Sequence, residues 1–244
     1  MLTFILIAVA VILVTIGLVK LVDKFIPSKF KPVLNIALWL LIAFLGYQTY
    51  MSIYEPLQFN KVKNKRYAKV IKSLVDIRDS QLAHRQVTGG FANNFDNLVK
   101  FIDTAEYTIT QRRDSSIIDE VLTKTYGVDT YKDIIIIDTL GYVSVKDSLF
   151  KTSTRYKTMM NVPDAEGEKF KLKSGFIEQN GIKIPVFEAL VTKNIILADQ
   201  NKDLIMQENQ VVSVDGVNGD ALKVGSMDEV NTNGNWPKTY GAAE

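Results

Sequence analysis

Two charge-free apolar runs, residues 1–19 and 33–54, open the chain, and past residue 60 the pattern changes to a three-and-four spacing and then to alternation. Each run is long enough to cross a hydrocarbon core of about 30 Å as a helix rising about 1.5 Å per residue. The first, LTFILIAVAVILVTIGL, is almost wholly aliphatic. The second, VLNIALWLLIAFLGYQTYMSIY, carries aromatic residues from Trp39 to Tyr54 that suit a water-lipid interface. Basic residues follow the first run instead of preceding it, and no small-x-small site closes it, so a retained anchor is expected in place of a cleaved signal peptide.

Between the runs lies KLVDKFIPSKFKP, where Pro27 and Pro32 stop helix and the net charge is +3. A short basic loop belongs in the cytoplasm, which makes residues 1–54 a transmembrane helical hairpin running out, in, out. Lys61, Lys63, Lys65, Arg66 and Lys69 follow the second run and favour the reverse, with the C-terminal domain cytoplasmic. Long trailing domains translocate largely regardless of charge, so the loop decides. The expected location is the bacterial inner membrane, two-pass, with a periplasmic C-terminal domain and the lipid bilayer as first partner.

Glu55-Pro56 predicts a kink or restart, because proline lacks a helical donor and constrains its predecessor. Apolar residues then recur at Val62, Tyr67, Val70, Ile71, Leu74, Ile77 and Leu82, the spacing of an amphipathic helix that Gly89-Gly90 ends. Its other face, with Lys61, Lys65, Lys69, Lys72, Asp76 and Asp79, reads as solvated and ordered by near-neighbour ion pairs. Asn93 or Asn94 can cap a second helix over residues 95–102.

Farther on, alternation predicts strands. EYTITQ (106–111) is one, DIIIID (133–138) another, and a turn at Gly141 would make 133–150 a hairpin; residues 115–127 form a short helix or a loop. Asn180-Gly181 marks the two-residue turn of a further hairpin, in which Pro185 implies an edge or a bulge. Residues 194–207 suggest helix, VVSVDGVNGD strand then turn, and the chain beyond Trp236 a mobile tail. The fold class is therefore α+β: two spans (1–54), an amphipathic stalk helix (55–92), a small antiparallel β-rich head (93–236) and a tail (237–244).

Composition narrows the chemistry. Residues 55–244 hold 25 basic and 26 acidic residues, a balance that gives no reason to expect nucleic acid as a partner. With no cysteine, disulfides, thiolate metal sites and cysteine nucleophiles are all excluded. His84 is the sole histidine, without a nucleophile elbow or second histidine beside it, and reads as a helical residue near a helix C-terminus. Asp133 and Asp138, five apart on a strand, point to opposite faces and cannot serve as an acid-base pair. Asp215, Asn218 and Asp220 are spaced faintly like a calcium loop, yet Ser226 stands where the closing glutamate belongs, so a glycine turn is expected. No phosphate-binding glycine loop occurs, and no catalytic residue, cofactor or metal site is expected.

The segment VIKSLVDIRDSQLAHRQVTGGFANNFDNLVKFI resembles the helix-to-head junction of type IV pilins and type II secretion pseudopilins, which read IR-x-x-Q-x-x-Y, a glycine, an aromatic, then D-x-L. Ile77, Arg78, Gln81, Gly90, Phe91, Asp96 and Leu98 match, and His84 stands at the aromatic position. The resemblance implies a pilin-like layout, a helix-and-sheet head on a membrane stalk. The first apolar run lacks a leader glycine and following glutamate, and two runs replace one, so filament packing of the pilin kind is not implied. Over most of its length, including GIKIPVFEA and LKVGSMDEVNTNGNW, the chain also resembles two-span bacterial membrane proteins of unassigned activity.

Three function classes result. The leading one is a non-enzymatic envelope component acting through protein-protein contacts or self-association, with Arg78, Gln81, His84, Arg85 and Phe91 at the stalk-head junction as candidate interaction or packing residues. The alternative is a ligand-binding or sensory membrane module. A membrane-tethered hydrolase would need a carboxylate pair assembled in space.

Overall fold

A computed structural model describes residues 12–17, 19, 20, 24, 27, 30–237 and 240. The first predicted span and the basic loop lie largely outside the described residues. The chain divides into two units, residues 1–58 and 59–244.

In the first unit, residues 12–17 are helical and a long helix, α1, begins at Lys31. Its bounds are Lys31–Thr88, 58 residues. It is the one described helix long and apolar enough to cross a membrane, and no residue of its most apolar window is covered by protein. Trp39 is 72% exposed and Leu40 67%.

The helix does not restart at Pro56: proline lies inside a continuous helix. One backbone bond, to the Ser52 carbonyl, is lost there, and the turns on either side carry the helix past it.

Within the second unit α1 changes character. Tyr67, Val70, Ile71, Leu74 and Ile77 recur at three-and-four spacing and are fully or almost fully buried. This half of the helix runs along the core with its apolar stripe inward. Gly89, with φ of 84°, ends it in the left-handed conformation that glycine adopts without strain. A second helix, α2 (Phe95–Thr104), is capped by Asn94, whose side chain accepts from the Asn97 amide, and buries Leu98, Phe101 and Ile102.

Two antiparallel sheets follow. The first is a ribbon of two strands, β1 (Glu106–Ile118) and β2 (Tyr131–Ser144), joined by a short helix α3 (Glu120–Tyr126). The predicted hairpin over 133–150 is thus corrected: DIIIID pairs backward with β1, and Gly141 lies inside β2. The register passes from Ile109 opposite Gly141 to Thr110 opposite Thr139, so Leu140 is the extra residue of a bulge, a role that glycine's neighbourhood suits as well as a turn. After β2, Ser144 caps α4 (Val145–Phe150).

The second sheet has the order β3-β4-β5, from β3 (Lys171–Gln179), β4 (Ile182–Thr192) and β5 (Ala221–Gly225). Asn180 and Gly181, with φ of 53° and 76°, form the predicted two-residue turn. Pro185 faces β3 only, since β5 pairs with β4 from Glu188 onward. Its strand is locally an edge there, as the proline implied. Residues 211–220 are loop, not the expected strand: Val212 and Val214 are 91% and 92% exposed with no strand beside them. The expected helix over 194–207 is two shorter ones, α5 (Lys193–Ile196) and α6 (Lys202–Asn209). Phe187, Ala189 and Val191 of β4 and Leu222 and Val224 of β5 join the core that α1 and α2 cover. In the tail, Tyr240 packs against Tyr67 and donates to Asn64.

Candidate functional site

The junction residues come together, and what they build is a clasp. Gln81 is wholly buried on α1; its amide nitrogen donates to the Ala92 carbonyl at 3.0 Å and its oxygen accepts from the Ala92 amide at 2.8 Å. The side chain thus imitates a β-bridge and ties the returning chain to the helix it has just left. One turn on, His84 Nδ1 lies 2.7 Å from the Gly90 carbonyl, and its ring packs on Phe101 at 4.7 Å. Phe91 packs on Phe187 of β4, and the Arg85 guanidinium covers Phe91 at 5.6 Å. Arg78 pairs with its neighbour Asp79, both partly exposed. The Thr88 hydroxyl lies 2.9 Å from His84 Nδ1 and donates to the His84 carbonyl, so helix end, loop and sheet are fastened at one place.

A second cluster, which the sequence did not announce, lies between α1, α5 and α6. Lys193 is fully buried, and its ammonium donates to the backbone carbonyls of Glu208 and Val217 at 2.6 and 2.8 Å. Its third partner is the Glu208 carboxylate at 3.3 Å. Glu208 also takes Lys63 at 2.8 Å and the Tyr67 hydroxyl at 3.3 Å, so all its charge is answered. Burial pulls the Lys193 ammonium below its usual range, with Glu208 opposing, and burial pushes the Tyr67 phenol up. A buried lysine whose three donors are satisfied is held rather than poised. The one sequence hint was Lys193 standing between Val191 and Ile195-Ile196-Leu197, amid apolar neighbours.

The charged face of α1 reaches across the unit instead of pairing along the helix. Asp76 takes Arg155 at 2.8 Å, Lys69 takes Asp164 at 2.8 Å, and Arg66 holds Asp199 in a two-point pair, keeping that carboxyl at about 2. A cleft of about 660 Å³ lined by Lys69, Lys72, Asp76, Asp79, Phe150 and Arg155 runs along this face. Most of its charges are consumed by these pairs. Asp133 and Asp138 lie opposite Ser116 and Gln111, and Asp138 pairs with Arg113 at 2.8 Å. Among the described residues no three His, Cys, Asp or Glu side chains converge as a metal site would require.

The surface that stands out is the ribbon. Tyr107 at its root packs on the core, and the Val145 amide bonds the Ala105 carbonyl to fix the two strand ends. Farther out, Ile135 is 51% exposed, Ile137 65% and Tyr142 66%. No protein family, curated protein or solved structure matches the chain.

Proposed function

We propose that the chain is a membrane-anchored, non-enzymatic component of the bacterial envelope, crossing the inner membrane twice and presenting an extracytoplasmic, pilin-like α+β head for assembly through protein-protein contacts. The observation that carries this reading is the β1-β2 ribbon, on which Ile117, Ile118, Tyr131, Ile135, Ile137 and Tyr142 are exposed although the rest of the unit has an ordinary buried core. The buried polar clusters at Gln81 and Lys193 support it from the other side: each fastens elements of the head to one another. A sensory or ligand-binding role in the 660 Å³ cleft would compete with the Asp76-Arg155 and Lys69-Asp164 pairs.

A photoreactive residue placed at Ile137 in living cells tests the assembly reading, with Val212, more exposed still but off the ribbon, as comparison. Discrete protein adducts at 137 and none at 212 are expected. Adducts to lipid alone, or none at all, would contradict it.

A further inference from the structure

We propose that two copies of this chain pair through the free edge of β2, antiparallel about a two-fold axis at Ile135, to form one four-stranded sheet in the order β1-β2-β2-β1. The inference rests on reading the head as an assembly surface and names its partner.

Three observations point to this edge. First, among the described residues β2 pairs with β1 alone, so its outer backbone groups have no strand partner, and from Tyr131 to Thr139 the register is regular and free of proline. Such an edge is a template for another strand, and a two-stranded ribbon gains most from acquiring one. Second, the apolar residues are concentrated on β2. Tyr131, Ile135 and Ile137 share one face with Ile118 of β1 and all are exposed, whereas residues 110–116 of β1 read TQRRDSS.

Third, the register selects itself. A two-fold axis perpendicular to an antiparallel sheet sets one residue opposite its own copy. Centred on Ile135, the pairing places Lys132 of each copy opposite Asp138 of the other, where Asp138 already holds Arg113 of its own β1, and sets Asp133 opposite Ile137, so two opposite-charge pairs flank the central isoleucines. Centred on Ile134 or Ile136, Lys132 meets Ile136 or Leu140 and the charge match is lost. On the β1 edge, centring on Arg112, Arg113 or Asp114 sets like charges face to face.

Charge also argues against a lipid surface as the occupant. Residues 106–144 hold four basic and seven acidic side chains, the wrong sign for anionic head groups. Anchoring in one bilayer raises the effective concentration of the copies, so an edge contact too weak for free molecules suffices.

The chain has no cysteine, so Ile135→Cys in the full-length protein in native membranes carries the only thiol. Oxidation is expected to link this thiol to its own copy, at least about tenfold more than the thiol of Val128→Cys at the exposed ribbon tip. Co-expressed Lys132→Cys and Asp138→Cys chains are expected to link to each other in the same way. Lys132→Glu, which sets two carboxylates opposite, is expected to reduce the link at position 135 by about tenfold.

Equal linking at 135 and 128 would show random collision and overturn the pairing. So would an Ile135→Cys chain that does not link, together with a photoadduct from position 137 to a different protein, a result that leaves the assembly reading standing. Absence of any link at 135 and of any protein adduct at 137 overturns both.

Discussion

Replacing Gln81 by leucine is expected to lower the melting temperature of the protein in detergent by about 6–12 °C. The side chain is fully buried, and both its amide groups are committed to the backbone of Ala92, itself 4% exposed. Leucine fills a similar volume and removes both partners. Two buried backbone groups are then orphaned at roughly 1–3 kcal/mol each, partly offset by the apolar gain, for a net loss of about 3 kcal/mol. A domain the size of residues 59–244 loses about 2–4 °C per kcal/mol. Fluorescence of Trp236, which packs on the core, follows the transition. Arg78→Ala is the control, since an exposed pair with an adjacent residue contributes at most about 1 kcal/mol. A Gln81→Leu shift no larger than the Arg78→Ala shift would refute the clasp and mean that water serves Ala92 equally well.

Further predictions concern the other polar fasteners and the sheet. Lys193→Met leaves two carbonyls and part of the Glu208 charge unanswered and should cost about 3–5 kcal/mol; combined with Glu208→Gln, the loss should fall short of the summed single losses by at least about 1 kcal/mol in chemical denaturation. Arg66 depresses the Asp199 carboxyl to about 2 from 3.8, so the pair's stabilisation is present above 3.8 and lost as pH falls toward 2. Asp199→Asn should therefore flatten the melting temperature across that window, by the equivalent of less than about 1 kcal/mol because the pair is exposed. Gly225→Ala should destabilise by at least about 2 kcal/mol, because φ is 75° and the added carbon would collide with the Phe187 carbonyl; amide exchange across β4 and β5 should rise first.

Legibility followed the range of the interactions. The change in α1 from apolar all round to three-and-four spacing is local, and it marked both the uncovered segment and the buried stripe Tyr67 to Ile77. Caps and turns with their own chemistry, Asn94 and Asn180-Gly181, were equally plain. Strand partners were not: DIIIID carries no signal saying whether β1 or the following residues will pair with it, and Gly141 serves a bulge or a turn equally. Val212 and Val214 alternate like a strand but have no strand beside them.

Gln81 was singled out as a junction residue, whereas its bridge to Ala92 depends on where the chain returns. Lys193 and Glu208, fifteen residues apart and on different helices, look like surface residues until the fold closes around them. The ribbon was legible only as separate strands.

Placement of the head is the claim on which the rest depends. In a chain without cysteine, the single thiols of Val128→Cys in the head and Phe30→Cys between the apolar runs can be challenged with a membrane-impermeant maleimide. Labelling at position 128 in intact cells, with position 30 labelled only after lysis, is the predicted result. Labelling at position 30 with position 128 protected until lysis, or release of the protein from membranes by alkaline washing, would contradict it.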